Sequence, residues 1–467
     1  MKDICSGSCA PAAPRCGPLA TISSPALIPQ LPAGAGLDAW LAHLEALHPR
    51  GSAGIELGLE RVAEIKSRLG QREACPVILV AGTNGKGSVC AMLERILLAA
   101  GYRTGLYTSP HLLRYNERVR IGGVAVDDGS LCAAFARVER ARDGAGLTYF
   151  EFGTLAAWEV FAAADLDVIL LEVGLGGRLD ATNVYQPSCS IVTGIDLDHM
   201  EFLGPDRESI GREKAGIFRV GIPAICGDAQ PPQSLVAYAN QIGAGLQIMG
   251  RDFGYQRQEL QWLYWGRAAG DPGREATAGV TRRGGLAFPA LRGERQLANA
   301  ACALAALDAL HKALPVAMQD IRRGLIEVEL AGRFQVLPGR PAVVLDVAHN
   351  PQAARVLAAN LGDMGFHRHT WAVFGMLADK DIDGVIDAVG GRVTHWLPCT
   401  LEDRRAASAD FLAARLEARG MVVVGSFASP AAALICAREM AGEDDRILAF
   451  GSFLTVAAAL QAHGRPS

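Results

Sequence analysis

The stretch that decides the fold is residues 80–88, which read Val-Ala-Gly-Thr-Asn-Gly-Lys-Gly-Ser. The apolar run that leads into it, residues 76–81, predicts a buried strand. After it, apolar residues recur at three- and four-residue spacing from Val89 to Ala100, which predicts a helix, and Gly101 stands where a helix would end. A strand, a glycine-rich turn with one lysine and a helix are together typical of proteins that hold the phosphates of a nucleoside triphosphate.

This turn departs from the usual phosphate-binding loop in one place. The usual pattern has Ser or Thr directly after Gly-Lys, where the hydroxyl binds magnesium. Here Gly87 follows Lys86, and Ser88 comes one position late. We therefore expect a magnesium ligand to come from elsewhere in the chain. The alternative is a glycine turn before a helix that binds no ligand.

The composition limits the classes of protein to consider. The 467 residues are enough for two or three domains. Half are hydrophobic and a fifth are charged, as in a soluble globular protein, and no apolar run approaches the ~18 residues of a membrane span. A formal net charge of −4 gives no electrostatic reason to expect nucleic acid or an acidic membrane as a partner. Eleven scattered cysteines show no disulfide framework, which favours a reducing cytoplasm.

The first 36 residues differ from the rest. They are rich in Ala, Pro, Gly and Ser and lack the apolar core of a signal peptide, so we expect a mobile N-terminal extension over residues 1–36. Cys5, Cys9 and Cys16 lie close together there, but no histidine stands near them to complete a zinc site.

Beyond the extension, apolar runs alternate with helical patterns, which is typical of an α/β fold with a doubly wound parallel sheet. We predict a domain of this kind with a phosphate loop over residues 37–290 and a smaller Rossmann-like α/β domain over residues 291–467. The polar and aromatic stretch 252–285 predicts a short β-meander or a loop excursion. Further strands are predicted at 104–107, 167–173, 189–195, 222–226, 342–346, 370–375, 392–398, 421–424 and 447–451, and helices within 37–69 and at 296–313, 351–361, 408–419 and 430–440.

Two polar residues at predicted strand ends are candidate metal ligands. Glu172 lies in an almost wholly apolar strand, where a divalent cation would offset the burial of its carboxylate; a buried ion pair is the alternative. His199 follows the next predicted strand, which we place beside that of Glu172, so that the two would meet at one sheet edge. A histidine without that pairing would be structural.

Lys214 is the most unusual side chain of the first domain. On a predicted helix beginning near Arg207 it shares one face with Ile210, Ile217 and Phe218. A lysine in an apolar stripe must be paired, neutralised or modified, unless its long side chain reaches water. We therefore interpret it as a lysine that faces the active site.

Five further polar residues are candidates only in combination. Ser109 belongs to a Ser-Pro-His turn, Asn299 lies on an Ala/Leu helix, and Arg333 precedes a predicted strand. Asp346 and His349 follow the strand 342–346, at the edge where α/β folds bind ligands.

Five motifs occur along the chain in a fixed order. They are Gly-Thr-Asn-Gly-Lys-Gly-Ser (82–88), Ser-Pro-His (109–111), Glu-Val-Gly-Leu-Gly-Gly-Arg-Leu-Asp-Ala-Thr-Asn (172–183), Arg-Glu-Lys-Ala-Gly-Ile-Phe (212–218) and Asp-Val-Ala-His-Asn-Pro (346–351). In this the chain resembles the folylpolyglutamate synthase/dihydrofolate synthase family of the Mur ligase superfamily, from about Trp40 to Leu454. The run Leu-Thr-Tyr-Phe-Glu-Phe-Gly-Thr at 147–154 is similar to the bifunctional bacterial members.

The resemblance implies an ATP-dependent amide ligase that adds L-glutamate to dihydropteroate and to the glutamate tail of reduced folates through an acyl phosphate. It implies magnesium as two ions, no organic cofactor and a monomer. Catalytic roles are implied for Lys86, His199 and Lys214, the last carbamylated, and metal binding for Ser109, Glu172 and His199. Contacts with ATP are implied for Thr83, Asn84, Gly85, Lys86, Gly87, Ser88, Asn299, Arg333, Asp346 and His349. Contacts with the pteroate group are implied for Ile55, Glu56, Leu57, Thr148, Tyr149, Phe150, Glu151, Leu179, Asp180 and Ala181.

The chain departs from the family pattern before Asn299, where Ala298 stands in place of a usual proline. Four alternatives stay open. The first is the folylpolyglutamate synthase activity alone, and the second is a Mur-type cell-wall ligase, although residues 1–75 are short for the extra domain such ligases carry. The third is a phosphate-loop switch or kinase, and the fourth is a nucleotide-binding module without activity. A ligase of two domains would need a hinge, expected near residue 290.

Overall fold

A computed structural model describes residues 34–48, 54–267, 280–293 and 295–463. Most of the predicted N-terminal extension, with Cys5, Cys9 and Cys16, lies outside these ranges. None of the helices within them combines the length and the apolar character that a membrane crossing requires.

The largest sheet is built around the strand that precedes the glycine turn. Its strands are β1 (Val77–Ala81), β2 (Thr104–Tyr107), β3 (Val119–Ile121), β4 (Val124–Ala125), β5 (Val168–Glu172), β6 (Cys189–Val192), β7 (Pro223–Cys226) and β8 (Gly245–Ile248). Among the described residues these eight strands have the order β4-β3-β2-β5-β1-β6-β7-β8. The six from β2 to β8 in that order are parallel, and β3 and β4 are antiparallel additions at one edge. The phosphate-loop strand therefore lies in the interior of the sheet.

Helices cover both faces of this sheet. They are α1 (Leu37–Ala46), α2 (Glu60–Leu69), α3 (Lys86–Ala99), α4 (Asp128–Arg142), α5 (Tyr149–Ala162), α6 (Met200–Leu203), α7 (Arg207–Ala215), α8 (Gln233–Ile242), α9 (Arg295–Ala309) and α10 (Met318–Glu327). Buried side chains of β1 alternate between two hydrophobic cores, one under α1, α2, α4, α5, α7 and α8 and one under α3, α9 and α10. Because β1 is buried on both faces, all of its side chains are apolar, which explains the continuous apolar run seen in the sequence.

A small antiparallel sheet extends the second of these cores. It consists, within the described part of the chain, of β9 (Phe253–Arg257), β10 (Trp262–Arg267) and β11 (Val280–Leu286). Trp262 and Tyr264 of its middle strand are buried against α9. Of the two predictions for residues 252–285, a β-meander or a loop excursion, the described residues of this range form the β-meander.

The third sheet belongs to the C-terminal part. Its strands are β12 (Gln335–Leu337), β13 (Ala342–Asp346), β14 (Thr370–Phe374), β15 (His395–Pro398) and β16 (Arg446–Phe450). Among described residues their order is β12-β13-β16-β14-β15, with β12 antiparallel and the rest parallel. Helices α11 (Pro351–Asp363), α12 (Ile382–Val389) and α13 (Ala409–Glu417) cover one face, and α14 (Pro430–Met440) and α15 (Phe453–His463) cover the other. The predicted α/β class, with a large sheet and a smaller Rossmann-like one, is confirmed.

One predicted strand is wrong. Residues 421–424 form no strand, because the chain meets β15 only at isolated points, where Val423 bridges to Trp396 and Phe427 bridges to Cys399. The β propensity of the run Met-Val-Val-Val is satisfied by one bridge at the sheet edge instead of a ladder.

The packing of α9 and α10 bears on the domain boundary predicted near residue 290. Both helices bury their apolar side chains against α3 and the first sheet, through residues such as Leu304 and Ile321. A division at residue 290 would separate them from this core. The division into domains stays a prediction, and the packing favours a boundary nearer to residue 330.

Candidate active site

The glycine turn joins β1 to α3 and is held by the end of β6. The Thr83 amide donates to Gly194 O at 2.8 Å, and the Thr83 hydroxyl donates to Asp196 O at 3.0 Å. Lys86 Nζ curls back over the turn and donates to Gly82 O at 3.1 Å. These bonds close the loop, and the first amides of α3 have no partner within the helix, which makes a helix start of this kind suitable for an anion.

Gly85 is the point where the turn meets α9. It has a φ of 95°, and a Cβ atom added there would lie 2.5 Å from Asn299 Oδ1. Only glycine lets the loop backbone and the Asn299 amide come this close. The structure thus places Asn299 directly beside the phosphate loop, and its contact with ATP, which the family resemblance implies, stays a prediction.

A cleft of about 910 Å³ runs from the loop toward the third sheet. Six of the residues predicted to contact ATP line it: Asn84, Gly85, Ser88, Asn299, Arg333 and Asp346. Thr83, Lys86 and Gly87 lie in the loop without lining this cleft, and His349 lines a neighbouring cavity that it shares with His199. The structure therefore brings most of the predicted nucleotide residues together and sets His349 apart.

The cleft lies between the two large sheets, and polar contacts cross it. Asn84 Nδ2 donates to Gln352 Oε1 at 2.5 Å, and Asn350 Nδ2 donates to Asn84 Oδ1 at 3.4 Å. Further along, Lys380 Nζ lies 3.4 Å from Asp198 Oδ1, with both side chains largely buried. The phosphate loop is thus tied to the N-terminal turn of α11.

Asp346 ends β13 and faces the nucleotide cleft. Its carboxylate accepts hydrogen bonds from the backbone amides of Phe334, at 2.9 Å, and Ala348, at 2.8 Å. Burial raises the pKa of Asp346 to about 6, although nearby Arg333 lowers it. The Arg333 guanidinium stacks over Phe453 at 5.3 Å. The arrangement offers one acidic and one basic group to a ligand in the cleft.

Glu172 is buried at the end of β5, beside the phosphate loop. Its Oε2 accepts the Ser109 amide at 3.3 Å, and among the described residues the carboxylate has no ion-pair partner. Burial raises its pKa, while the charges of Lys86 and Arg333 act in the opposite direction. The buried ion pair considered from the sequence is therefore absent from the described structure, and the donor set beside Ser109 fits a hard divalent cation.

His199 is not on the strand next to that of Glu172. It follows β6, and β1 lies between β5 and β6, so the predicted adjacency of the two strands is wrong. The sequence order of strands hid this, because β1 is inserted at the centre of the sheet. His199 has a φ of 50° at the start of α6, and burial lowers its pKa to about 4, so its imidazole is neutral at pH 7. Its ring and Ser109 line the same cavity.

Lys214 lies in the last turn of α7 and is 3% exposed. The helix ends at Ala215, so Ile217 and Phe218 do not share its face, although both are buried. Among the described residues the ammonium has neither a hydrogen-bond nor an ion-pair partner. Burial, helped by the charge of Lys86, lowers the pKa of Lys214 to about 7. The side chain is therefore buried, and its role at the active site stays a prediction.

A second cavity, of about 1510 Å³, opens on the other side of Ser109. All ten residues predicted to contact the pteroate group line it: Ile55, Glu56, Leu57, Thr148, Tyr149, Phe150, Glu151, Leu179, Asp180 and Ala181. The structure therefore assembles three distant segments of the sequence around one space.

All three acids of this set are engaged by the protein itself. Glu56 Oε2 accepts a hydrogen bond from Arg61 Nη1 at 2.7 Å. The Glu151 carboxylate accepts hydrogen bonds from Arg61 Nε and from the Thr148 amide, each at 2.8 Å. Asp180 accepts the Leu175 amide at 2.8 Å and the Thr182 hydroxyl at 2.6 Å. Their carboxylates shape the wall of the cavity.

Sequence reasoning missed several residues of this cavity. Arg118 lines it and stacks over Tyr149 at 5.5 Å. Arg405, Leu377 and Phe453 reach it from the C-terminal part of the chain. No local pattern marks the last three, because the segments that follow β14, β15 and β16 reach the cavity only through the packing of the C-terminal sheet against the first one.

Comparison with known proteins identifies the family of this chain. Residues 332–453 match the family described as Mur ligase, glutamate ligase domain. The chain is 44% identical to the dihydrofolate synthase/folylpolyglutamate synthase of Escherichia coli (strain K12) over 91% of its length and 95% of the relative, and 37% identical to that of Haemophilus influenzae over 92% and 98%. The chain therefore belongs to the dihydrofolate synthase/folylpolyglutamate synthase family.

Solved structures agree with this assignment. An E. coli FolC structure in complex with DHPP and ADP has a TM-score of 0.84 at 43% identity and covers 93% of this chain and 99% of its own. A bifunctional folylpolyglutamate synthase/dihydrofolate synthase with Mn, AMPPNP and L-glutamate bound has a TM-score of 0.82 at 43% identity, covering 94% and 100%. These relatives bind a nucleotide, and the second also binds a divalent metal and glutamate.

Proposed function

We propose that the chain joins L-glutamate to dihydropteroate and to the glutamate tail of reduced folates, with ATP as the energy source. The observation that carries this proposal is the position of Ser109 and Glu172. Ser109 lines the large cavity, its amide binds Glu172, and Glu172 lies within 3.8 Å of where a Cβ of Gly87 in the phosphate loop would be. The phosphate end of the nucleotide cleft is thus next to the cavity for the second substrate.

The chemistry that suits this geometry is carboxylate activation. The substrate carboxylate attacks the γ-phosphorus of ATP, the bond from that phosphorus to the ADP oxygen breaks, and an acyl phosphate forms. The glutamate amine, after losing a proton to solvent, attacks the carbonyl, and phosphate leaves as the amide forms. Lys86 supplies a positive charge at the loop where negative charge develops during phosphoryl transfer.

We propose Ser109, Glu172 and His199 as metal-binding residues, with magnesium as two ions. The hydroxyl, the unpaired buried carboxylate and the neutral imidazole are suitable donors. When bound, the metal neutralises phosphate charge. We propose no organic cofactor.

The buried Lys214 is proposed to act as a carbamate. Its pKa of about 7 leaves a large neutral fraction at pH 7. The neutral amine adds to carbon dioxide and releases a proton, which replaces a buried cation by an anion that can orient the metal site. We also propose a catalytic role for His199, because it lines the large cavity that is proposed to hold the second substrate.

ATP is proposed to contact the phosphate loop (83–88), Asn299 beside that loop and, from across the cleft, Arg333 and Asp346, with His349 beside them. The ten residues of the large cavity are proposed to hold the pteroate group. We further propose a cytoplasmic monomer of two α/β domains, whose approach closes the site around both substrates.

An ADP-release assay with L-glutamate tests the proposal, with dihydropteroate and tetrahydrofolate offered separately. Release that requires glutamate and occurs with each acceptor supports both activities. Release with tetrahydrofolate alone would leave only the folylpolyglutamate synthase activity. Release without any acceptor would indicate a phosphate-loop switch or kinase, and none with any acceptor would refute the proposal.

A further inference from the structure

Asn360 is a buried polar residue that the proposed chemistry does not use. It lies on α11, is 6% exposed, and its side-chain amide has no hydrogen-bond partner among the described residues. It lines the nucleotide cleft and two neighbouring cavities, and it lies eight residues, or about 12 Å of helix, beyond Gln352, which bonds the phosphate loop. A buried amide without a partner is unfavourable unless a ligand or water completes its hydrogen bonds.

The opposite wall is the backbone of Gly293. A Cβ atom added there would lie 2.7 Å from both Nδ2 and Oδ1 of Asn360. The two polar atoms of the amide are therefore equally far from this Cβ position, so the side of the amide group, and not one end of it, packs against Gly293. Gly293 has a φ of 116°, a conformation that favours glycine. The absence of a side chain at position 293 is what leaves room for the Asn360 amide.

The same helix face supplies apolar contacts. Ala353, Val356 and Leu357 line the cleft with Asn360, at the three- and four-residue spacing of one helical face. Asn299 lines the same cleft and lies beside Gly85 of the phosphate loop. A nucleotide with its phosphates at the loop would thus extend its base toward an apolar wall that ends in one amide group.

We propose that Asn360 recognises the adenine base and selects ATP over GTP. This rests on the proposed use of ATP. The amide oxygen accepts a hydrogen bond from the exocyclic amine of adenine, and the amide nitrogen donates to the adjacent ring nitrogen N7. On guanine the same edge presents two acceptors, so the amide oxygen meets an oxygen and one hydrogen bond is lost.

The test uses the full chain and the variant Asn360→Leu, which keeps the branched shape and the number of side-chain heavy atoms and removes both polar groups. Binding of ADP, GDP, purine riboside diphosphate (which lacks the exocyclic amine) and 3′-deoxy-ADP is measured by calorimetry. We expect the affinity for ADP to fall about tenfold, which corresponds to ~1.4 kcal/mol. The affinity for purine riboside diphosphate should change much less, and the preference for ADP over GDP should narrow.

Asn240→Ala is the matched control, because Asn240 is an exposed asparagine near the end of α8. It should leave all four affinities unchanged. Gly293→Ala provides an independent variant, since its methyl group displaces the Asn360 amide, and it should reproduce the selective loss for ADP. Thermal unfolding of each variant shows that the fold is kept.

If Asn360→Leu lost the same affinity for ADP as for purine riboside diphosphate, the proposal would be overturned. Nucleotide affinities equal to those of the wild type would overturn it as well. A loss that disappears with 3′-deoxy-ADP would assign Asn360 to the ribose and also overturn it. Wild-type protein that binds ADP but ligates no acceptor would refute the ligase function and leave the base-recognition test intact.

Discussion

The buried Lys214 leads to a quantitative prediction about stability. A pKa lowered from 10.5 to about 7 means that the folded protein binds the lysine proton less tightly than the unfolded chain does. At about 1.4 kcal/mol for each tenfold change in proton affinity, the charged form is destabilised by roughly 5 kcal/mol. Replacing the lysine by an apolar residue of similar length should remove this penalty.

The sign of the pH dependence follows directly. Between the folded and unfolded pKa values the unfolded chain holds more protons, so raising the pH stabilises the folded protein. The difference in unfolding free energy between wild type and Lys214→Met should therefore shrink by about 4 kcal/mol from about pH 6 to about pH 10. The variant should be the more stable protein at pH 6 and should lack ligase activity.

Urea unfolding in degassed, metal-free buffer at several pH values measures this difference. The exposed Lys312, changed to Met, is the matched control. Added bicarbonate should stabilise only proteins that retain Lys214, because carbamylation consumes the neutral amine. A difference between wild type and Lys214→Met that stays constant across the pH range would show that Lys214 keeps an ordinary pKa and would refute the reasoning.

Three further predictions concern the proposed site. Lys86→Ala should abolish ATP turnover with an unchanged circular dichroism spectrum, and near-normal turnover would exclude its proposed role. Glu172→Gln should weaken the dependence of turnover on magnesium, and an unchanged magnesium titration would remove Glu172 from the metal site. A double-mutant cycle of Asp198→Asn and Lys380→Gln should give a coupling of about 1 kcal/mol in unfolding free energy, because the pair is largely buried; additive effects would show that the contact across the cleft contributes nothing.

The sequence predicted the local parts of the structure well. Glycines and a lysine after an apolar run define the phosphate loop, and apolar periodicity located nearly every strand and helix. The burial of Glu172 and Lys214 also followed from their apolar neighbours in sequence. These features depend on residues within one or two turns of each other, which is the range over which periodicity carries information.

Non-local features were less accessible. The insertion of β1 between β5 and β6 depends on strand pairing, and it made the adjacency of Glu172 and His199 wrong. Arg118 and Arg405 enter the large cavity through tertiary packing, without any motif of their own. The ten residues of that cavity were found through the family resemblance, since they come from three segments that no spacing rule connects.

The bonds from Asn84 to the start of α11 have a consequence for how the two halves of the enzyme communicate. The residue is in the loop proposed to receive the nucleotide, yet its amide is shared with the opposite half. A phosphate that accepts a hydrogen bond from the Asn84 amide must either displace Gln352 from it or bind while Gln352 stays in contact. Nucleotide binding and the distance between the two halves are therefore thermodynamically linked. By reciprocity, a substitution at Gln352 should alter nucleotide affinity.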